Sequence, residues 1–280
     1  MTGQPPDPAS SLKPEVKVTA AADPWTIVAV AIVAYVFASI IHEGVGHGGA
    51  CLLTGGHPLA LSTVHFECDG EGRVVAAGGT IANLGSGLGF WLASRVALRA
   101  ARLRYFLWLS MTINLLQAGG YFLFSGVGNV GDWAIVINGL QPSWLWRIGL
   151  IILGVCSYLL FVWIALFELQ PFLDQKEPER LQRAKKLTLV PYLTGGILSC
   201  VAGLFNPVGM ILVAISAAAA SFGGTSGLAW MWQVLRGDRI PRSDSEILPL
   251  SRSPGWMIAA GIVGVLFVAV VGPGVKFHRG

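Results

Sequence analysis

The chain has 280 residues, of which 54% are hydrophobic and only 12% charged, about half the charged share of an average soluble domain. That balance excludes a water-soluble globular protein. The net charge of +4 gives no reason to expect a nucleic-acid partner, because Lys and Arg sit mainly between the apolar runs, where membrane topology accounts for them.

Residues 1–23 are polar and carry Pro5, Pro6, Pro8 and Pro14, which reads as a disordered tail. Residues 24–280 read as a single transmembrane domain. No A-x-A site follows the first apolar run, so that run is expected to be a retained helix and not a signal peptide. A spanning helix needs roughly 20 apolar residues. Runs of that kind fall at 25–54, 76–98, 104–126, 145–170, 188–205, somewhere within 207–235, and 256–273. The expected fold is an all-α polytopic membrane protein with six or seven transmembrane helices. The uncertain run contains Ser221-Phe222-Gly223-Gly224-Thr225-Ser226-Gly227, whose small residues weaken a helix and suit a cavity wall or a packing seam.

Between the first two runs, Leu61–Glu67 and Arg73–Ala77 flank Cys68-Asp69-Gly70-Glu71-Gly72, which predicts a short extramembrane β-hairpin turning at those five residues. The four cysteines, Cys51, Cys68, Cys156 and Cys200, have no CxxC pair and no framework spacing, and Cys156 and Cys200 are expected as core residues. Arg95, Arg99, Arg102 and Arg104 cluster after the second run, and Lys176, Arg180, Arg183, Lys185 and Lys186 before the fifth. By the positive-inside rule both loops are cytoplasmic, as is the N-terminus, and residues 55–76 and 127–144 face the other side. Trp25, Trp133, Trp144, Trp146 and Trp256 fall near the expected span ends, as an aromatic belt would place them.

The first run leads into His42-Glu43-Gly44-Val45-Gly46-His47, and His57 and His65 follow closely. Ionisable groups at membrane depth are costly enough to mark a functional site, and two imidazoles with a carboxylate suit Zn2+. Histidines four apart share a helix face with a Glu left free as general base. Here they are five apart, which on a regular helix sets them roughly 140° apart. A π-bulge would realign them, and Gly44 and Gly46 ease one. The plainer alternative is a helix end whose histidines bond loop carbonyls.

Three stretches resemble the site-2 protease class of intramembrane zinc metalloproteases, in the compact branch without a PDZ domain. HEGVGHGGACLLTGGHP is similar to that family's HExGH helix with one residue added. In AAGGTIANLGSGLGF, Gly78, Gly79, Thr80 and Asn83 fall on its GPxxN element, and FNPVG at Phe205–Gly209 is similar to its NPDG. The resemblance covers residues 25–98 well and the rest in outline. It implies an intramembrane zinc-dependent endopeptidase that cuts transmembrane or juxtamembrane segments of other membrane proteins in a bacterial-type cell membrane. Glu43 would be the general base, His42 and His47 metal ligands, and Asn83 either an interhelical hydrogen-bond donor or a group that orients substrate or oxyanion. The family's third ligand is the Asp of NPDG, where this chain has Val208 with no donor atom, and NPVG reads better as a helix break at Pro207.

The candidate third ligand is Asp132 in Gly128-Asn129-Val130-Gly131-Asp132-Trp133, on the expected side of His42, with an N-cap role as its alternative. His57, His65 and Cys68 are fallback ligands, and Glu168 is expected to snorkel at the opposite interface. The rival reading is a proteolytically inactive, protease-like membrane scaffold or binding protein. The lost Asp favours it, and the surviving Glu43 does not.

Overall fold

The computed structural model describes residues 22–70, 72–97, 100–207, 209, 213–236, 240 and 247–277. Most of the expected tail, together with Arg99 and Val208, lies outside them. Helix α1 runs Pro24–Leu53. It starts where the Asp23 carboxylate accepts from the Thr26 backbone N–H at 2.9 Å and Pro24 occupies the first turn, a site where its missing N–H costs nothing. Strands β1 (Pro58–Leu61) and β2 (Phe66–Cys68) follow. Helices α2 (Arg73–Val96), α3 (Ala101–Gly128), the short α4 (Asp132–Ile137), α5 (Ser143–Leu169) and α6 (Glu179–Leu204) come next. Then come α7 (Val213–Gly224), α8 (Gly227–Trp230), α9 (Pro254–Leu266) and strand β3 (Val275–Lys276).

Among the described residues, four helical stretches are long and apolar enough to cross a membrane: Pro24–Leu53, Ser143–Phe172, Glu179–Leu204 and Pro254–Val271. This fits an integral membrane protein. Helices α2 and α3 match them in length, with 24 and 28 residues, but carry inward polar groups. Thr80, Asn83 and Ser94 on α2 and Ser110, Thr112, Asn114 and Gln117 on α3 are all buried. Helix α3 is the axis of the bundle, with every residue from Tyr105 to Gly119 buried. Helix α5 lies against it where Gly154 meets the backbone of Leu123 and Gly126 meets Ile151, a small-residue seam of the kind that brings membrane helices close. Its outer face, Ile152, Leu153, Leu159 and Leu160, is exposed, as are Ile258, Ile262 and Val265 of α9. In a bilayer these faces meet acyl chains.

Hydrogen bonds gather the chain at the two ends of the bundle. At one end, Asp23 N–H donates to Leu250 O at 2.8 Å and Leu248 N–H to Pro171 O at 2.9 Å. Arg102 reaches Ser251 Oγ at 2.9 Å, and Glu168, beyond merely snorkelling, pairs with Arg95 and accepts from Trp91 Nε1 at 2.9 Å. At the other end sits a three-stranded sheet in the order β2-β1-β3.

That sheet corrects the expected hairpin. The turn falls at Ser62–His65, where Ser62 N–H donates to His65 O at 2.9 Å, and Leu61 pairs with Phe66. Arg73–Ala77 is the first turn of α2 and not a strand. The β-branched pair Val74-Val75 favours a strand, but that preference yields to context, and the stretch behind it, held against α1, sets the helix. Strand β3 joins antiparallel with Leu61 opposite Val275, a partner that local sequence does not announce. Two cysteine expectations also change. Cys51 and Cys68 form a disulfide across a separation of 17 residues, and Cys156 faces outward, exposed.

Candidate metal centre

The extra residue between the histidines is absorbed as expected by a wide turn. Ile41–Gly48 is π-helical, and it brings His42 Nε2 within 3.2 Å of His47 Nε2. Each ring is held by its other nitrogen. His47 Nδ1 lies 2.7 Å from Val75 O. A carbonyl only accepts, so Nδ1 carries the proton and Nε2 presents its lone pair. His42 Nδ1 lies 3.1 Å from the Asn83 amide, and Asn83 Oδ1 is buried with no other partner. A half-turn of the amide lets that oxygen accept Nδ1–H and frees His42 Nε2 in the same way.

The third member is Asp132. Its Oδ2 lies 3.2 Å from His42 Nε2 and 3.5 Å from His47 Nε2. Gly131, at φ +81°, turns the chain so that the carboxylate points inward. The N-cap alternative is not what the structure contains, since Gly131 is the cap residue and no side chain caps the helix. Helix α4 is fixed to α2 at both ends. Trp133 Nε1–H donates to Thr80 Oγ1 at 3.0 Å, and Arg73 donates to Asn138 O at 2.7 Å.

The floor of the site is α2. A Cβ on Gly79 would fall 2.6 Å from both imidazole Nε2 atoms, and one on Gly78 would fall 2.4 Å from Gly46 O. The glycines therefore let α1 and α2 touch backbone to backbone beneath the histidines. In the sequence Gly78 and Gly79 stand out only as a motif match.

His42, His47 and Asp132 form a buried group able to hold a metal ion. Bonds of about 2.0–2.2 Å to a tetrahedral zinc put ligand atoms about 3.3–3.6 Å apart; the edge of 3.5 Å falls within that range and the two of 3.2 Å lie just below it. Asp132 Oδ2 is buried and receives no hydrogen bond among the described residues, an orphan that a cation would satisfy. The residues fit the ion.

Glu43 follows His42 and is buried. It lines a cavity of about 1020 Å³ together with His42, His47, Asp132, Leu123, Phe124 and Ile135. Ala219, Ala220, Gly223 and Gly224 form its opposite wall, so the Ser221–Gly227 stretch does line a cavity. Asn83 is fully buried and outside the cavity. It makes an interhelical contact to His42 Nδ1. His65 lines the cavity without joining the cluster, the backbone of His57 donates to the Asp69 carboxylate and accepts from Asp69 N–H, and Cys68 is tied up in its disulfide. Residues 205–207 follow the end of α6. Sequence reasoning passed over Tyr121, which stacks on His42 with ring centroids 4.5 Å apart.

Comparison with known protein families, with curated proteins and with solved structures finds no match to this chain.

Proposed function

We propose that this chain is an integral membrane zinc endopeptidase of the site-2 protease kind, acting on apolar segments of other membrane proteins. The observation that supports it most is the ligand triangle, with edges of 3.2, 3.2 and 3.5 Å and a buried carboxylate, Glu43, beside it on the wall of an apolar cavity.

Bound zinc would supply a Lewis acid that makes a water acidic enough to attack at neutral pH. The protein's own groups do the rest. Val75 O and the Asn83 amide hold the imidazoles in the tautomer that faces the shared point. Glu43, with no hydrogen bond among the described residues, takes the proton as water adds to the peptide carbonyl and returns it to the leaving nitrogen. The apolar walls formed by Leu123, Phe124 and Ile135 receive an apolar chain and strengthen every charge interaction inside. A scaffold or binding protein would have no use for an ionisable Glu43 at this depth, so the inactive reading has less support.

The site would open on the non-cytoplasmic face. The basic clusters favour this by the positive-inside rule, and a disulfide between Cys51 and Cys68 beside the cavity fits an oxidising compartment. The chain would then cross seven times, the sixth crossing being the broken segment from α7 through α8.

The test combines metal analysis with terminal-peptide proteomics of native membranes. About one zinc per chain is expected in the wild type and none in the His42→Ala/His47→Ala variant. Glu43→Gln should keep the zinc and lose the new peptide termini that the wild type generates. Cleavage that survives Glu43→Gln would end the peptidase reading.

A further inference from the structure

Addition of water to a peptide carbonyl moves an electron pair onto the carbonyl oxygen, and a neutral donor aimed at that oxygen is among the largest single contributions to rate. Asn83 does not serve, because it is engaged with His42 and closed off from the cavity. Among the described residues that line the cavity, Tyr121, Tyr158 and Ser226 carry an O–H, and of these Tyr121 is the one in ring contact with His42. Tyr121, on α3, stacks on His42 with its ring plane within 16° of the imidazole. It lines the large cavity and also a small chamber of about 40 Å³ that His42, Glu43 and Gln117 line too. It shares the lining of that large cavity with Asp132 and Glu43. The hydroxyl makes no hydrogen bond among the described residues.

We propose that Tyr121 is a catalytic residue whose O–H donates to the scissile carbonyl oxygen as negative charge builds there. This rests on the peptidase reading above. In the addition step the C–O bond forms, the carbonyl π pair moves to oxygen, and the water proton goes to Glu43, while Tyr121 keeps its own proton. On collapse the C–N bond breaks and Glu43 delivers the proton to nitrogen. The stack serves the donor: a ring clamped on an imidazole that is itself fixed by Asn83 needs little reorganisation when charge appears. A phenol kept merely for packing would have no need of its oxygen, and phenylalanine would then serve equally.

Tyr121→Phe keeps the ring and removes only the hydroxyl. The probe is a phosphinic Leu–Leu pseudodipeptide, a tetrahedral anion with apolar flanks, titrated into detergent-purified, cobalt-loaded protein and followed in the cobalt visible spectrum. The corresponding planar Leu–Leu amide is the control. Tyr121→Phe should bind cobalt with the wild-type spectrum, bind the phosphinate about 10- to 100-fold more weakly, and bind the planar amide within about threefold of wild type. Equal phosphinate affinity in the two proteins, or failure of Tyr121→Phe to take up cobalt, would overturn the role of Tyr121 and leave the peptidase reading standing. A wild-type protein that takes up no cobalt would overturn both.

Discussion

A methyl group is the smallest change that can be made to the metal centre, and Gly79 is where it should matter most. Its Cβ would press on both Nε2 atoms at 2.6 Å, and neither ring can withdraw while Val75 and Asn83 hold its other nitrogen. Gly79→Ala should therefore lower zinc affinity by at least the roughly 10–100-fold typical of losing an outer-shell partner, measured by competition with a chromophoric chelator. Gly85 on the same helix has nothing within 4 Å. Gly85→Ala should leave metal binding intact and add up to about 1 kcal/mol of helix stability. Asp132→Asn should weaken zinc binding far more than Asp69→Asn in the turn after β2, because only Asp132 lies within reach of the imidazoles. The histidine pair and Glu43 were legible because helix phase is arithmetic: five residues demand a wide turn, and glycine permits one. Gly79 as a floor and Tyr121 as a stacking partner were not legible. Both depend on which face of a second helix meets the first, and nothing in an apolar run fixes that.

At the scale of elements, Asp132, the candidate third ligand, depends on a helix of six residues, too short to be stable by itself. It is held by Trp133 on Thr80 and by Arg73 on Asn138. Thr80→Val removes the hydroxyl at nearly constant shape, so α4 should loosen and zinc affinity should fall about tenfold or more. Thr80→Ser should restore it. Equal affinity in all three proteins would show that Arg73 alone fixes the helix. Asp132 was nameable from sequence because it is the one acidic residue of its loop, with Gly131 before it to turn the chain. The hairpin was misplaced by several residues because Asp69, Gly70 and Gly72 carry the stronger turn signal, while Ser62-Thr63-Val64-His65 holds only one usual turn former, and Arg73–Ala77 packs as helix. The disulfide escaped notice because two cysteines that far apart in sequence have no signature until a fold brings them together.

For the whole molecule, orientation is the property with most consequence for substrate choice. Trp144 is exposed just past the sheet end of the bundle, and Leu103 is exposed near the basic end. With a membrane-impermeant maleimide, a Trp144→Cys protein should be modified in intact cells and a Leu103→Cys protein only after permeabilisation. Cys51 and Cys68 should react only after reduction. The reverse pattern would turn the protein over and place the cavity on the cytoplasmic side. The class of fold, a helical membrane bundle, was plain from composition. The number of passes was not, because α2 and α3 dilute their apolar character with the polar groups that build and support the site, and the α7–α8 segment is broken.

The β2-β1-β3 sheet also sets an order in time. Strands β1 and β2 are neighbours in sequence and can pair as soon as they emerge, with Cys51 and Cys68 close by to lock them. The other edge of β1 has to wait for Val275 and Lys276, and contacts between such distant parts of a chain are slow to form. During synthesis the rim of the cavity is therefore left with an open strand edge, which closes only after α9 has been inserted and its chain has returned to the sheet.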